Sequence, residues 1–300
     1  MSTAIHPPET EILPKLPLVV EGESDVVDEL SPTDFLRNYI RRCKPVVMTG
    51  LMDSWPAKNW SFEHFRELAE KQDAAQPSVL LEEGNVMQGK TSFRKQSFVD
   101  YLDRLIDDSG DDKAEDGYLS VFKLFDHFPE LKREVDFSIL DQHKLKSSSV
   151  GWIGPAGTVT GYHIDWGDNI LAQIHGRKQL HLAAPFESSK MSVSQKFDQG
   201  ASISEVDLNN WDSEKHPEFA TVKNHRIVLQ PGHCVFIPRG WWHHVQSLDK
   251  SISVSNIAYD IKGIVKDVLP HRIKQKLHDA GLWKCPCTCH RVVDGKWVRK

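Results

Sequence analysis

The stretch Thr158–Pro185, TVTGYHIDWGDNILAQIHGRKQLHLAAP, constrains this chain more than any other. Residues two apart on a strand point to the same face. His163-Ile164-Asp165 therefore brings an imidazole and a carboxylate to one point. The following Asn169-Ile-Leu-Ala-Gln-Ile174 mixes polar and apolar side chains as a strand with one dry and one wetter face would. A further histidine pair lies far downstream, in Phe236-Ile-Pro-Arg-Gly-Trp-Trp-His243-His244-Val245. Many short strands, Gly/Pro turns and motif halves distant in sequence predict a mainly β fold with flanking helices, a double-stranded β-helix or jelly-roll barrel. Taken alone, H-x-D is a common tripeptide and describes no more than a polar pair on a half-buried strand.

Two histidines and one carboxylate on one face of a metal form the facial triad of non-haem Fe(II) oxygenases, which leaves coordination positions open. Several further motifs keep the H-x-D company in order and spacing. They are Thr160-x-x-His163-x-Asp165-x-x-x-Asn169, Gly176-Arg-Lys178, and Pro231-Gly232-x-x-x-Phe236-Ile-Pro238-x-x-Trp241-Trp242-His243. From about Phe35 to Tyr259 the chain resembles the JmjC (cupin-type) 2-oxoglutarate-dependent oxygenases, and within them the small stand-alone protein hydroxylases. The order of strand, Trp55-Pro, Trp60 and helix ahead of the barrel resembles the same group, although both tryptophans read first as core packing.

The resemblance implies Fe(II) held by His163, Asp165 and His243, with 2-oxoglutarate and O2 as cosubstrates. His243 is preferred to His244 because the family's ligand directly follows the tryptophan, and neighbours on a strand face opposite ways. The far carboxylate of 2-oxoglutarate needs a cation, and Lys178 occupies the family's position for it. Tyr118 and Thr160 add hydroxyl donors, Asn169 supports the metal-proximal end, and Trp152 lines the pocket. His175 and His181 stand off the ligand spacing. His233 replaces the family's usual acid, and relatives carry Asn where Ser255 aligns, with Asn256 one place on. The implied reaction is hydroxylation of a protein side chain with release of succinate and CO2. N-methyl-lysine demethylation and tRNA-base hydroxylation are alternatives within the family. A cupin-like binding protein without turnover is the alternative of another class.

Around this core the chain divides into an N-terminal arm (1–30), an oxygenase domain (31–260, its barrel about 118–260) and a C-terminal region (261–300). The arm is rich in Pro and Glu and carries no basic-then-apolar signal pattern. No apolar run reaches membrane-spanning length. Five cysteines, three crowded at the end, do not make a secreted disulfide framework, so a reducing intracellular setting, cytoplasmic or nuclear, is expected. Helices are predicted from Ser31, over 61–71 and over 98–106, with an acidic exposed loop at 107–117. The long polar stretch 186–226 reads as an insert beside the pocket, where substrate-contacting loops usually sit.

The formal charge is −5, but residues 262–300 hold ten Lys/Arg and three Asp/Glu, a balance of +7 that leaves −12 for the rest. The basic tail is either a solvated end or a site for an anionic partner such as RNA. Helix 260–280 carries the apolar stripe Ile261, Ile264, Val265, Val268 and Leu269, which Pro270 should break or kink. That stripe packs either on the chain's own barrel or on a second copy. Cys285-Pro-Cys287-Thr-Cys289-His290 puts four candidate metal ligands within six residues. Ordinary zinc sites use wider pairs, so a reduced tail and a metal-binding one both stay open.

Overall fold

The computed structural model describes residues 24–71, 78–86, 91–107, 117–198, 200–288, 290–293 and 296–299. Most of the N-terminal arm, the acidic loop 108–116 and Cys289 lie outside the described residues. The strands, in chain order, are β1 (Asp25–Val27), β2 (Val46–Met48), β3 (Ser78–Glu83), β4 (Ser92–Ser97), β5 (Leu119–Phe122), β6 (Lys146–Gly154), β7 (Val159–Asp165) and β8 (Asp168–His175). They continue as β9 (Lys178–Ala183), β10 (Ala201–Ile203), β11 (Asn224–Leu229), β12 (Cys234–Ile237), β13 (Trp242–Ser247), β14 (Ser251–Tyr259), β15 (His290–Val293) and β16 (Lys296–Arg299). Two sheets carry the fold. The larger runs β1-β2-β12-β8-β14-β6-β5 and the smaller β10-β7-β13-β9-β11. Successive strands β6 to β9 and β11 to β14 alternate between the two sheets, which is the mainly β, jelly-roll order the sequence predicts.

Alternation along the strands assigns the faces. Leu171, Leu180, Leu182, Leu229, Val235 and Ile237 cluster between the sheets. Ile170, Ala172, Ile174, Phe236 and Val254 face the other way, into the layer of N-terminal helices with Phe35, Phe65, Phe98 and Leu102. The first helix begins at Pro32, where Ser31 Oγ accepts from the backbone N of Asp34 at 3.1 Å, a side-chain cap. It brings Phe35 edge-on to Phe236, with ring centroids 4.8 Å apart. Helices Phe62–Lys71 and Phe98–Ile106 fall where the apolar spacing puts them. Trp55 and Trp60 are both core residues, 3% exposed.

Two regions differ from their sequence reading. The stretch 186–226 is polar in composition, yet Met191, Val206, Leu208, Phe219 and Val222 from it bury a third cluster against Tyr162 and Trp242. It also supplies β10, which pairs antiparallel with β7. The C-terminal helix runs through Pro270 without a break. Its turns widen to π-helix over Ile264–Val268, directly before the final α-helical stretch Leu269–Asp279, and this local widening accommodates Pro270 with its ring and missing N–H. Of the stripe, Ile261, Val265 and Leu269 are 51–66% exposed, as are Ile273 and Leu277 further on at 53% and 42%, while Ile264 and Val268 are half-buried.

Candidate active site

β7 and β13 lie side by side, with His163 directly opposite His243. On β7, His163 and Asp165 are two apart and face the barrel interior together. Thr160 is three residues before His163 and would face the other way on a regular strand. The β7–β13 register shifts between these positions, with Val245 opposite Thr160 while His243 is opposite His163. The extra residue of this bulge turns Thr160 inward, so Thr160, His163, Asp165, His243 and Val245 all line one pocket.

The imidazole Nε2 of His163 lies 3.8 Å from Asp165 Oδ1, and that of His243 lies 3.5 Å from Asp165 Oδ2. Each ring's Nδ1 contacts the carbonyl two residues back, Gly161 at 2.8 Å and Trp241 at 3.1 Å. A carbonyl only accepts, so Nδ1 carries the proton and Nε2 presents its lone pair to the shared point. Asn169 Nδ2 donates to Asp165 Oδ2 at 3.0 Å and holds the carboxylate from behind. Among the described residues, His163, Asp165 and His243 are the one group of three His, Cys, Asp or Glu whose ligand atoms all lie within 4.8 Å. Burial, then the neighbouring His243, pulls the His163 pKa down to about 4. Burial works against the Asp165 charge, but its neighbours His243, His163 and Asn169 outweigh it and hold its carboxyl at about 2. Two imidazoles with centroids 3.9 Å apart and an ionised carboxylate suit a cation of Fe(II) type.

At the other end stands Lys178. It is 1% exposed, and its Nζ donates to Tyr118 Oη at 2.9 Å and Ser253 Oγ at 2.7 Å. Both partners are neutral hydroxyls, and burial lowers the Lys178 pKa to about 7. Burial likewise pushes the Tyr118 phenol well above its ordinary value, so it stays a neutral donor and acceptor. A buried ammonium without a carboxylate is costly, and an incoming anion would remove that cost. Two glycines allow this geometry. Gly176 opens β9 with φ +68°, and a Cβ there would meet the Lys250 carbonyl at 2.0 Å. A Cβ on Gly154 would meet the Tyr118 ring at 2.6 Å. Next to the turn, Arg177 pins β9 through a two-pronged ion pair with Asp249, at 2.7 and 3.0 Å.

The pocket between these ends has a volume of about 260 Å³, with walls that include Val150, Trp152, Leu171, Ile237 and Ile257. Strand alternation separates the two residues the sequence left open. Ser255 lines the pocket and accepts from Trp152 Nε1 at 3.0 Å, whereas Asn256 faces away toward Ser149 and Asp141. Ser253 was missed by sequence reasoning. The signal was present in Ser251-x-Ser253-x-Ser255, whose alternation puts Ser253 on the face of Ser255. His244 turns outward and is buried under Tyr162 and beside His181. His175 packs edge-on to Phe62, and His233 Nδ1 accepts from the Gln230 backbone at the turn into β12.

Residues 32–261 match the family model of the cupin-like domain. The chain is 33% identical over 229 residues to "Lysine-specific demethylase 8" of Xenopus tropicalis, covering 74% of this chain and 49% of that protein. It is 30% identical to "Jumonji C domain-containing protein 5" of Drosophila melanogaster, covering 76% and 58%. It is 27% identical to "HSPB1-associated protein 1" of Rattus norvegicus, covering 69% and 46%. The fold and the matches define a cupin-like protein, and the chain belongs to that family in its JmjC branch. It spans about half the length of the curated relatives it matches.

Proposed function

We propose that this chain is an Fe(II)- and 2-oxoglutarate-dependent dioxygenase that hydroxylates a protein side chain. The observation that carries the reading is one pocket with a His-Asp-His set at one end and a buried lysine at the other whose hydrogen-bond partners among the described residues are hydroxyls. His163, Asp165 and His243 would hold the iron, and Lys178, Tyr118, Ser253 and Thr160 the cosubstrate. Bound iron, with 2-oxoglutarate, supplies the O2 activation that inserts oxygen into a C–H bond as succinate and CO2 are released. The chain's own contribution is placement. Backbone carbonyls fix both imidazole tautomers, Asn169 orients Asp165, and the apolar walls exclude water. A binding protein without turnover would need neither the oriented triad nor the buried lysine.

Two features support a polypeptide substrate. The relatives' names include lysine-specific demethylases, whose names specify an amino-acid side chain. A second cleft, lined by Trp166, Tyr259, Arg272 and Lys276, meets the pocket at Gly200 and Tyr259 and extends its mouth. Those names also favour a second reading, removal of a methyl group from lysine. Against it, Asp165 is the one acidic residue among the described residues that line the pocket, and it is committed to the triad, so the pocket itself, unlike the adjoining cleft with Asp279, offers a methylated ammonium no second carboxylate. The test is mass spectrometry of proteins trapped from cell extract, supplied with Fe(II) and 2-oxoglutarate. One added oxygen on an unmethylated residue supports hydroxylation. Loss of methyl groups with formaldehyde release, and no retained oxygen, would replace it with demethylation. Oxygen found on RNA alone would remove the protein substrate.

A further inference from the structure

A second group of histidine and cysteine side chains lies away from the pocket. His278, on the last helix, is 0% exposed. Its Nδ1 lies 3.7 Å from Cys285 Sγ and 2.9 Å from the Trp283 carbonyl. A tetrahedral zinc with Zn–S of about 2.3 Å and Zn–N of about 2.0–2.1 Å separates its sulfur and nitrogen ligands by about 3.6 Å. Cys287 forms a single β-bridge with Phe197, so its backbone is extended, and residues two apart on an extended run share a face. Neither Cys285 nor Cys287 is in a disulfide.

The segment is also anchored. Phe197 N donates to the Pro286 carbonyl at 2.8 Å, and Thr288 N donates to the Phe197 carbonyl at 3.0 Å. The Phe197 ring stacks on His271 and meets Trp283 edge-on. Thr288 Oγ1 donates to Asp198 Oδ2 at 2.6 Å, while Asp198 Oδ1 accepts from the backbone N of Gly200 and Ala201. Gly200 lines the pocket, and Ala201 pairs with Asp165. The cysteines thus sit one short chain of hydrogen bonds from the strand that carries the triad.

We propose that His278, Cys285 and Cys287 bind a zinc(II) ion as a structural clip that ties the last helix to the Phe197–Ala201 segment. Loading replaces the proton on His278 Nδ1 and those on both thiols with the metal. Cys287 completes the set by a change of χ1 rotamer, which moves a sulfur by about 3 Å. This is needed because its sulfur does not yet share a 4.8 Å cluster with the other two ligand atoms. The fourth tetrahedral position falls to a donor beyond these three.

Alkylation of the intact chain, read cysteine by cysteine by mass spectrometry, tests this without any substitution. With zinc bound, Cys285 and Cys287 should react more than about tenfold slower than after treatment with a strong chelator, since metal-bound sulfur is a poor nucleophile. Exposed Cys43 should react in both states and buried Cys234 in neither. Equal rates for Cys285 and Cys287 with and without zinc would overturn the clip. A second measurement separates this site from the pocket. A chain with His163→Ala and His243→Ala should keep one cobalt(II) per chain with sulfur-to-cobalt charge-transfer absorption. Adding Cys285→Ser and Cys287→Ser should abolish that absorption. Survival of the band after both serine changes would equally sink the proposal.

Discussion

The two faces of the smaller sheet each bury a pair of histidines, and only one pair converges on a carboxylate. Inward, His163 and His243 have ring centroids 3.9 Å apart. Outward, His181 and His244 are 6.0 Å apart. Burial comes first among the causes that pull the His163 pKa to about 4, His181 to about 4 and His244 to about 3. The difference lies in what surrounds the nitrogens. Each inward ring gives Nδ1–H to a carbonyl and turns Nε2 to Asp165. Outward, His181 Nδ1 and both nitrogens of His244 find no hydrogen-bond partner among the described residues, and the charged neighbour felt by His181 is Arg226. A cation is welcome between the first pair and repelled by the second. Burial of histidine is therefore a poor sign of a metal site, while a carbonyl behind the ring and a carboxylate in front of it are good ones.

The largest effect should come from exchanging the faces. His243→Ala should lower iron affinity by more than the roughly 10–100-fold lost with an outer partner, while His244→Ala leaves iron bound. Iron retained per chain after gel filtration measures this. If His244→Ala loses iron and His243→Ala keeps it, the inward assignment is wrong.

Next in size is the far end of the pocket. Lys178→Ala should weaken 2-oxoglutarate about ten- to a hundredfold, as loss of a charge-assisted hydrogen bond predicts. Iron affinity should be unchanged. Titration calorimetry with each ligand separates the two, and an unaltered 2-oxoglutarate affinity removes Lys178 from the site.

The same lysine sets a pH dependence. Its pKa of about 7 in the folded chain lies below its ordinary 10.5, and a bound carboxylate would raise it again. Binding should therefore take up a proton above pH 7, and the dissociation constant should rise by up to about tenfold per unit from there. Without ligand the sign concerns stability. Between 7 and 10.5 the unfolded chain holds the proton more tightly, so the Lys178 contribution to stability increases with pH over that window. A dissociation constant flat from pH 7 to 9, with no proton uptake across buffers, contradicts the ammonium–carboxylate pair.

The smallest change should be His244→Leu. Replacing a buried ring whose nitrogens lack partners by an apolar side chain should be neutral, or stabilising by about 1 kcal/mol. Thermal melting of the variant checks it. A loss of several kcal/mol would mean that the outward histidine holds a partner that the inward–outward contrast omits.

Much of this contrast was legible beforehand, because strand alternation is a local rule. It turned His163 and Asp165 to one face, and it set His244 opposite to His243 once one of them was chosen. Thr160 shows where the rule stops. Its odd spacing from His163 reads as the opposite face, and only the bulge between β7 and β13 brings both inward. The stretch 186–226 does lie beside the pocket, but its buried cluster was not legible, for a different reason. Its apolar residues are too scattered for a strand period, and they cluster only when Tyr162 and Trp242 present a surface to them.

By itself, then, the sequence determined the family, the mainly β architecture and the set of polar residues available to a site, since these follow from local pattern and motif order. The tertiary structure alone decided that Lys178 is buried with no carboxylate beside it among the described residues. It also decided that Ser253 is its neighbour, and that β10 comes from the long insert. It further decided that Cys285 lies against His278. Each of these joins segments distant along the chain, and such pairings are set by how the sheets stack and which loops cover them, which no local period encodes.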